Sequence, residues 1–165
     1  MKKIPMVNYI KVFLISVTTV FIVLVLSNVY LNKKHYELAN DDIMGFLATI
    51  KFDEINEYLV ENVDGFIYIA SSADTTLDTF ELKLKEYILG ENLEEDFVYL
   101  DSSLFSGDMF DELKKLYFAP NVSSVNLGDA NLFSVHNGKI TAVLNIDVEN
   151  FEEVKSFINV HEVIE

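Results

Sequence analysis

Apolar and polar positions alternate along this chain in blocks that predict its elements one after another. Val12 to Leu31 is uncharged and overwhelmingly apolar. At 1.5 Å per residue, about twenty residues cover the ~30 Å hydrocarbon core of a bilayer. Lys11 and Lys33-Lys34 bracket the run, and Tyr9 and Tyr30 sit near its ends, where amphipathic rings favour the interface. A transmembrane helix over 12–31 is therefore expected. A cleaved signal peptide is the rival, with Val25-Leu26-Ser27 as a poor cleavage site.

Further along, Phe66-Ile67-Tyr68-Ile69-Ala70 is short, apolar and rich in β-branched and aromatic residues, which predicts a buried strand. A polar break from Ser71 to Thr75 follows. Leu77, Phe80, Leu84, Tyr87 and Ile88 then recur at three- and four-residue steps, the pattern of a helix with one apolar face, and Gly90 is its expected stop. Phe97 to Asp101 predicts a second strand. Asp108 to Phe118 predicts a helix with acids in front and Lys114-Lys115 near its end, an order that suits the helix dipole. Asn137-Gly138 between Leu132–Val135 and Lys139–Ile146 is a hairpin signal, and Phe151 to Ile158 closes the chain as a helix. Ahead of these, Asp53 to Val60 predicts a helix with Ile55, Tyr58 and Leu59 inward, ended by Asn62-Val63-Asp64-Gly65. Residues 32–51 read as a tether, with a short helix after Asp41-Asp42 interrupted by Gly45. The organisation expected is 1–11 cytoplasmic N-terminus, 12–31 transmembrane helix, 32–51 tether and 52–165 α/β domain.

Charge sharpens the picture. The 12 basic residues are all Lys, against 27 acids, for a net charge of -15. Lys2, Lys3, Lys11, Lys33 and Lys34 lie in 1–36 with no acid, so the remaining chain sets seven Lys against every acid. Nucleic acid and anionic headgroups repel such a domain, so no nucleic-acid partner is expected. Lysines N-terminal to the span place the N-terminus inside and the domain outside the membrane.

Candidate chemistry is sparse. The chain has no cysteine, which removes thiol catalysis, disulfides and thiolate metal sites together. His35, His136 and His161 are scattered without metal-ligand spacing, and Glu94-Glu95-Asp96 lacks a calcium-loop pattern, so no metal or cofactor is expected. Asp74 is the charged side chain at the front of the central helix. A carboxylate there caps free N–H groups, which lowers its pKa, the wrong direction for a general base. No catalytic residue is assigned.

Strand, polar turn and helix from Phe66 to Leu84, followed by a second strand–helix passage, a hairpin and a closing helix, resemble the thioredoxin superfamily. More narrowly they resemble the membrane-anchored thioredoxin-like proteins of Gram-positive bacteria, which include bacteriocin-transport accessory proteins. The resemblance implies a thioredoxin-like three-layer fold, a mixed central sheet with helices on both faces. Laying Phe80 on the aromatic that follows the family's Cys-x-x-Cys puts Asp74, Thr75, Thr76 and Leu77 on the redox motif, with Asp74 and Leu77 in place of the cysteines, on one exposed corner of the first helical turn. Working back from the hairpin, the family's cis-proline falls on Ala130, where a trans bond is expected.

The resulting expectation is a membrane-anchored, redox-inactive binding or accessory module, not an enzyme, at the outer face of a bacterial membrane. It would hold lipid through 12–31 and an unidentified protein or peptide through its domain. By resemblance, it would support export, maturation or immunity of a secreted peptide. A thioredoxin-fold enzyme using a non-thiol group or a cysteine-bearing partner, and a passive envelope component, are the alternatives.

Overall fold

The computed structural model describes residues 11, 13–27, 29, 42–106 and 108–161. The chain divides into two compact units, 1–40 and 41–165. In the first unit the described residues between 11 and 29 are helical, and every one of them is exposed, Phe13, Phe21 and Leu24 among them. Thr19 Oγ1 donates to the carbonyl of Ile15 at 2.9 Å, as a hydroxyl does where little else accepts it. No helix among the described residues is long and apolar enough to cross a membrane. Positions 12, 28, 30 and 31 of the expected span lie outside the described residues, as do 1–10 and 32–41.

The second unit is a five-stranded mixed sheet with helices on both faces. In chain order it runs α1 (Ile43–Phe46), β1 (Ala48–Ile50), α2 (Ile55–Glu61), β2 (Gly65–Ala70), α3 (Asp78–Glu91), β3 (Phe97–Asp101), α4 (Met109–Tyr117), β4 (Asn131–His136), β5 (Lys139–Asn145) and α5 (Phe151–His161). The strand order is β1-β3-β2-β4-β5. β3 runs parallel to both β1 and β2, whereas β4 is antiparallel to β2 and β5. All six residues of β2 are buried, as a central strand covered on both faces requires.

Period-two alternation sends the strands' side chains to two separate layers. Ile67, Ile69, Val98, Leu100 and Phe133 pack with Ile55 and Leu59 of α2 and Leu113 of α4. Phe66 stacks on Phe97 at 4.8 Å on the opposite face, where Tyr68 meets Phe80 of α3 and Phe80 meets Phe151 of α5. The Tyr68 hydroxyl donates to Glu81 Oε1 at 2.9 Å, and the Tyr99 hydroxyl to the Ala70 carbonyl at 3.0 Å. Burial raises both phenol pKa values.

Two glycines are required by backbone geometry. Gly65 opens β2 at φ +146°, where a Cβ would lie 2.9 Å from the Asp96 carbonyl. In the hairpin, Asn137 and Gly138 have φ of 52° and 67°, the two positive angles that a type I′ turn needs. A Cβ on Gly138 would lie 2.8 Å from the Leu59 carbonyl. Its N–H donates to the Val63 carbonyl at 2.8 Å, and His136 Nδ1 lies 2.7 Å from Asp64, so the hairpin tip is held against the end of α2.

Several expectations need correction. Residues 42–50 belong to the same compact unit as the sheet. Asp42 caps α1 by accepting from the Gly45 N–H at 2.7 Å, and the next residues form β1, a strand not anticipated. Gly90 does not stop α3: the helix continues to Glu91 and ends on Asn92, left-handed at φ 60°. Asn tolerates that conformation through its short polar side chain.

Candidate functional site

The corner after β2 is built from local hydrogen bonds. The Asp74 N–H donates to the Ser71 carbonyl at 3.0 Å, and the Ala73 N–H to Ser71 Oγ at 3.3 Å. Asp74 then caps a 3-10 turn, Thr75–Leu77, that precedes α3. Its Oδ1 accepts from the Thr76 N–H at 3.0 Å and from Thr76 Oγ1 at 2.6 Å. Those two bonds hold the carboxyl below its ordinary pKa.

That 3-10 turn intervenes, so α3 starts at Asp78. Leu77 points into the core at 4% exposure, so it shares no exposed corner with Asp74. Thr75 and Thr76 are the exposed residues between them.

A second corner follows β3 and leans on the first. Asp101 caps a 3-10 turn, Ser102–Leu104, by accepting from the Ser103 N–H at 2.9 Å. The same carboxylate accepts from the Ser72 N–H at 3.0 Å and Ser72 Oγ at 2.8 Å, and Ser72 Oγ lies 3.1 Å from Ser103 Oγ. Partial burial pushes the Asp101 carboxyl up, but these donors outweigh it and leave the pKa lowered. Sequence reasoning missed this tie, since its partners lie far apart in the chain. The one local signal was that Asp101-Ser102-Ser103 repeats the pattern of Asp74-Thr75-Thr76.

The third wall is the loop before β4. Ala130 is buried, and all described peptide bonds are trans. Asn131 is fully buried: its Oδ1 accepts from the Gly128 N–H and its Nδ2 donates to the Gly128 carbonyl, each at 2.9 Å. Asn145 Oδ1 accepts from the same Gly128 N–H at 3.1 Å. Two side-chain amides therefore shape the loop beside Ala130. Between the three walls lies an open hollow of about 450 Å³ lined by Ser71, Ala73, Asp74, Ser102, Phe110 and Asp129.

This arrangement offers acceptors and an aromatic wall. Asp74 and Asp101 are held ionised by their donors, so neither is tuned for proton transfer. Ser72 Oγ faces a carboxylate of lowered basicity, and no histidine lies within hydrogen-bond reach of it among the described residues. No group of three or more His, Asp or Glu suited to a metal occurs among the described residues.

The sheet order, the two crossings and the hairpin match a known architecture. Thioredoxin f2 from Chlamydomonas reinhardtii superposes with a TM-score of 0.51 at 12% identity, covering 72% of this chain and 99% of that one. The fold is thioredoxin-like. Mitochondrial thioredoxin 3 from Saccharomyces cerevisiae gives a TM-score of 0.45 at 12% identity, over 68% and 94% of the two chains. Thioredoxin O2 from Arabidopsis thaliana gives 0.41 at 17%, over 68% and 93%. The likeness is one of fold alone. No protein-family model matches the chain, and no curated protein does.

Proposed function

We propose that this chain is a redox-inactive binding module of thioredoxin-like fold, anchored through residues 12–31 at the outer face of a bacterial membrane. The observation that carries the reading is the corner itself. An open hollow stands where β2, β3 and the β4 loop meet, yet the chain has no cysteine, Asp74 is occupied as a cap and Leu77 is buried. What survives is a surface of carboxylates, hydroxyls and one aromatic wall, which suits recognition of a basic protein or peptide. The anchor is supported by the described helix at 13–27, which is overwhelmingly apolar and exposed throughout, a pattern that a helix packed in water does not carry. Support for export, maturation or immunity of a secreted peptide is the finer role this reading favours.

The test is site-specific photo-crosslinking in intact cells. A photoreactive residue at Ala73 or Asp129, both exposed at the hollow, should give one discrete adduct. The same residue at exposed Glu86 should not. Smears alike at all three positions, or reduction of a model disulfide by the purified chain, would overturn the proposal.

A further inference from the structure

The two edges of the sheet are finished differently. β5 is covered: Phe118 bridges Ile140, the Ala119 N–H donates to the Ile140 carbonyl at 2.8 Å, and Asn121 Nδ2 donates to the Thr141 carbonyl at 3.2 Å. β1 is bare. Among the described residues nothing pairs with the backbone of Ala48–Ile50 on the side away from β3. Nor does the strand carry the usual guards against pairing, since it has no proline, no charged side chain and no bulge.

An apolar groove of about 330 Å³ opens at the C-terminal end of β1, lined by Met44, Ile50, Phe52, Leu104, Phe105 and Met109. Leu104 is 74% exposed on its wall. The floor is braced: Phe105 packs edge-on to Phe52 at 5.4 Å and against Phe110 at 5.0 Å. A bare strand edge beside a firm apolar groove is the geometry of strand addition, in which backbone bonds give affinity and alternate side chains enter the groove.

Charge selects the occupant. Asp53, Asp101 and Lys51 line the groove, and Lys51, its one cation, is engaged with Glu54 at 3.9 Å. Beyond residue 36 the chain sets seven Lys against 27 acids. A second copy of so acidic a domain is repelled, whereas a basic segment is drawn in. We propose that the β1 edge and its groove accept an extended segment of alternating basic and apolar residues as an added strand. The inference rests on the reading of the chain as a binding module but uses residues other than those that line the hollow at the β2–α3 corner.

The probe is a synthetic peptide of alternating lysine and valine, added to the full-length chain in neutral detergent micelles. Amide exchange at Ala48–Ile50 should slow by about tenfold or more, as for amides newly drawn into a ladder. The Leu104→Lys variant, altered at an exposed position, should weaken binding by about tenfold. A version of the peptide N-methylated on alternate residues, and a glutamate–valine version, should fail to slow exchange. Slowing at Ser71–Asp74 and Asp129–Asn131 instead of β1 would sink the edge proposal and leave the corner reading intact. Equal binding by the N-methylated peptide would reduce the effect to charge attraction and overturn strand addition. Slowing at β1 without peptide, with a doubled mass in light scattering, would replace the basic segment by a second copy.

Discussion

The crossings that leave β2 and β3 are written in nearly the same residues, Asp74-Thr75-Thr76-Leu77 and Asp101-Ser102-Ser103-Leu104. In both, the aspartate accepts from the N–H two residues on and caps a 3-10 turn. They differ in what else they touch. Among the described residues the Asp74 carboxylate bonds only within its own turn, whereas Asp101 reaches across to Ser72 and ties the two crossings together. The leucines diverge in the opposite sense: Leu77 is buried and Leu104 is 74% exposed. Like sequences thus yield one corner fixed by its leucine and another fixed by its aspartate. Surroundings, more than local propensity, decide which side chain holds a turn in place.

The contrast breaks most readily at the leucines. Leu77→Ala should cost about 2–5 kcal/mol, as for other buried leucines, while Leu104→Ala should stay within about 0.5 kcal/mol. Urea unfolding of both variants checks this, and equal losses would erase the contrast. Next comes Asp101→Ala. It leaves the N–H groups of Ser72 and Ser103 without their charged acceptor and should cost about 1–3 kcal/mol, less than Leu77→Ala and more than Asp74→Ala. The Asp74 change should appear chiefly as faster amide exchange at Thr76.

Titration sharpens the same comparison. Asp74 and Asp101 both have folded pKa values below the ordinary 3.8. Each therefore contributes stability that is present above that value and lost as pH falls through the lower, folded one. Asp101→Asn should flatten the acid limb of a stability–pH curve below about pH 4. Glu81, behind the first crossing, runs the other way. Burial raises its carboxyl above the ordinary 4.5, with the Tyr68 hydrogen bond opposing. Its ionised form thus costs stability above the raised value, and the cost is relieved as pH falls. Glu81→Gln keeps an acceptor for Tyr68 and should be slightly more stable than the parent at pH 7. That advantage should vanish below about pH 4. This is the smallest of the effects, and thermal melts at several pH values would resolve it.

Much of the architecture was legible because it is carried by long, strongly patterned stretches. Phe66–Ala70, the hairpin at Asn137-Gly138 and the charge order of α4 each follow from one local rule. β1 was not legible, because three residues are too few to show a period and Ala48-Thr49-Ile50 follows a helical turn directly. The inward side of Leu77 was readable from its three-residue step to Phe80, against the exposed corner that the resemblance implied. The corner's position was readable from strand, break and helix. The Asp101–Ser72 tie was not, since it joins residues brought together only by the pairing of β2 with β3.

The pairing of β2 also has a temporal side. One flank meets β3 at Phe97–Asp101, but the other meets β4, and Ile69 lies opposite Asn131. During synthesis from the N-terminus, β2 and β3 emerge before β4 does. A nascent chain that has reached the loop ahead of Ala130 presents Gly65–Ala70, wholly apolar after its glycine, as a temporary open edge. Transiently unpaired edges of this kind are where incomplete chains associate wrongly. Emergence of the chain only as far as the loop ahead of Ala130 prolongs that exposure, and emergence of the hairpin through Asn145 ends it.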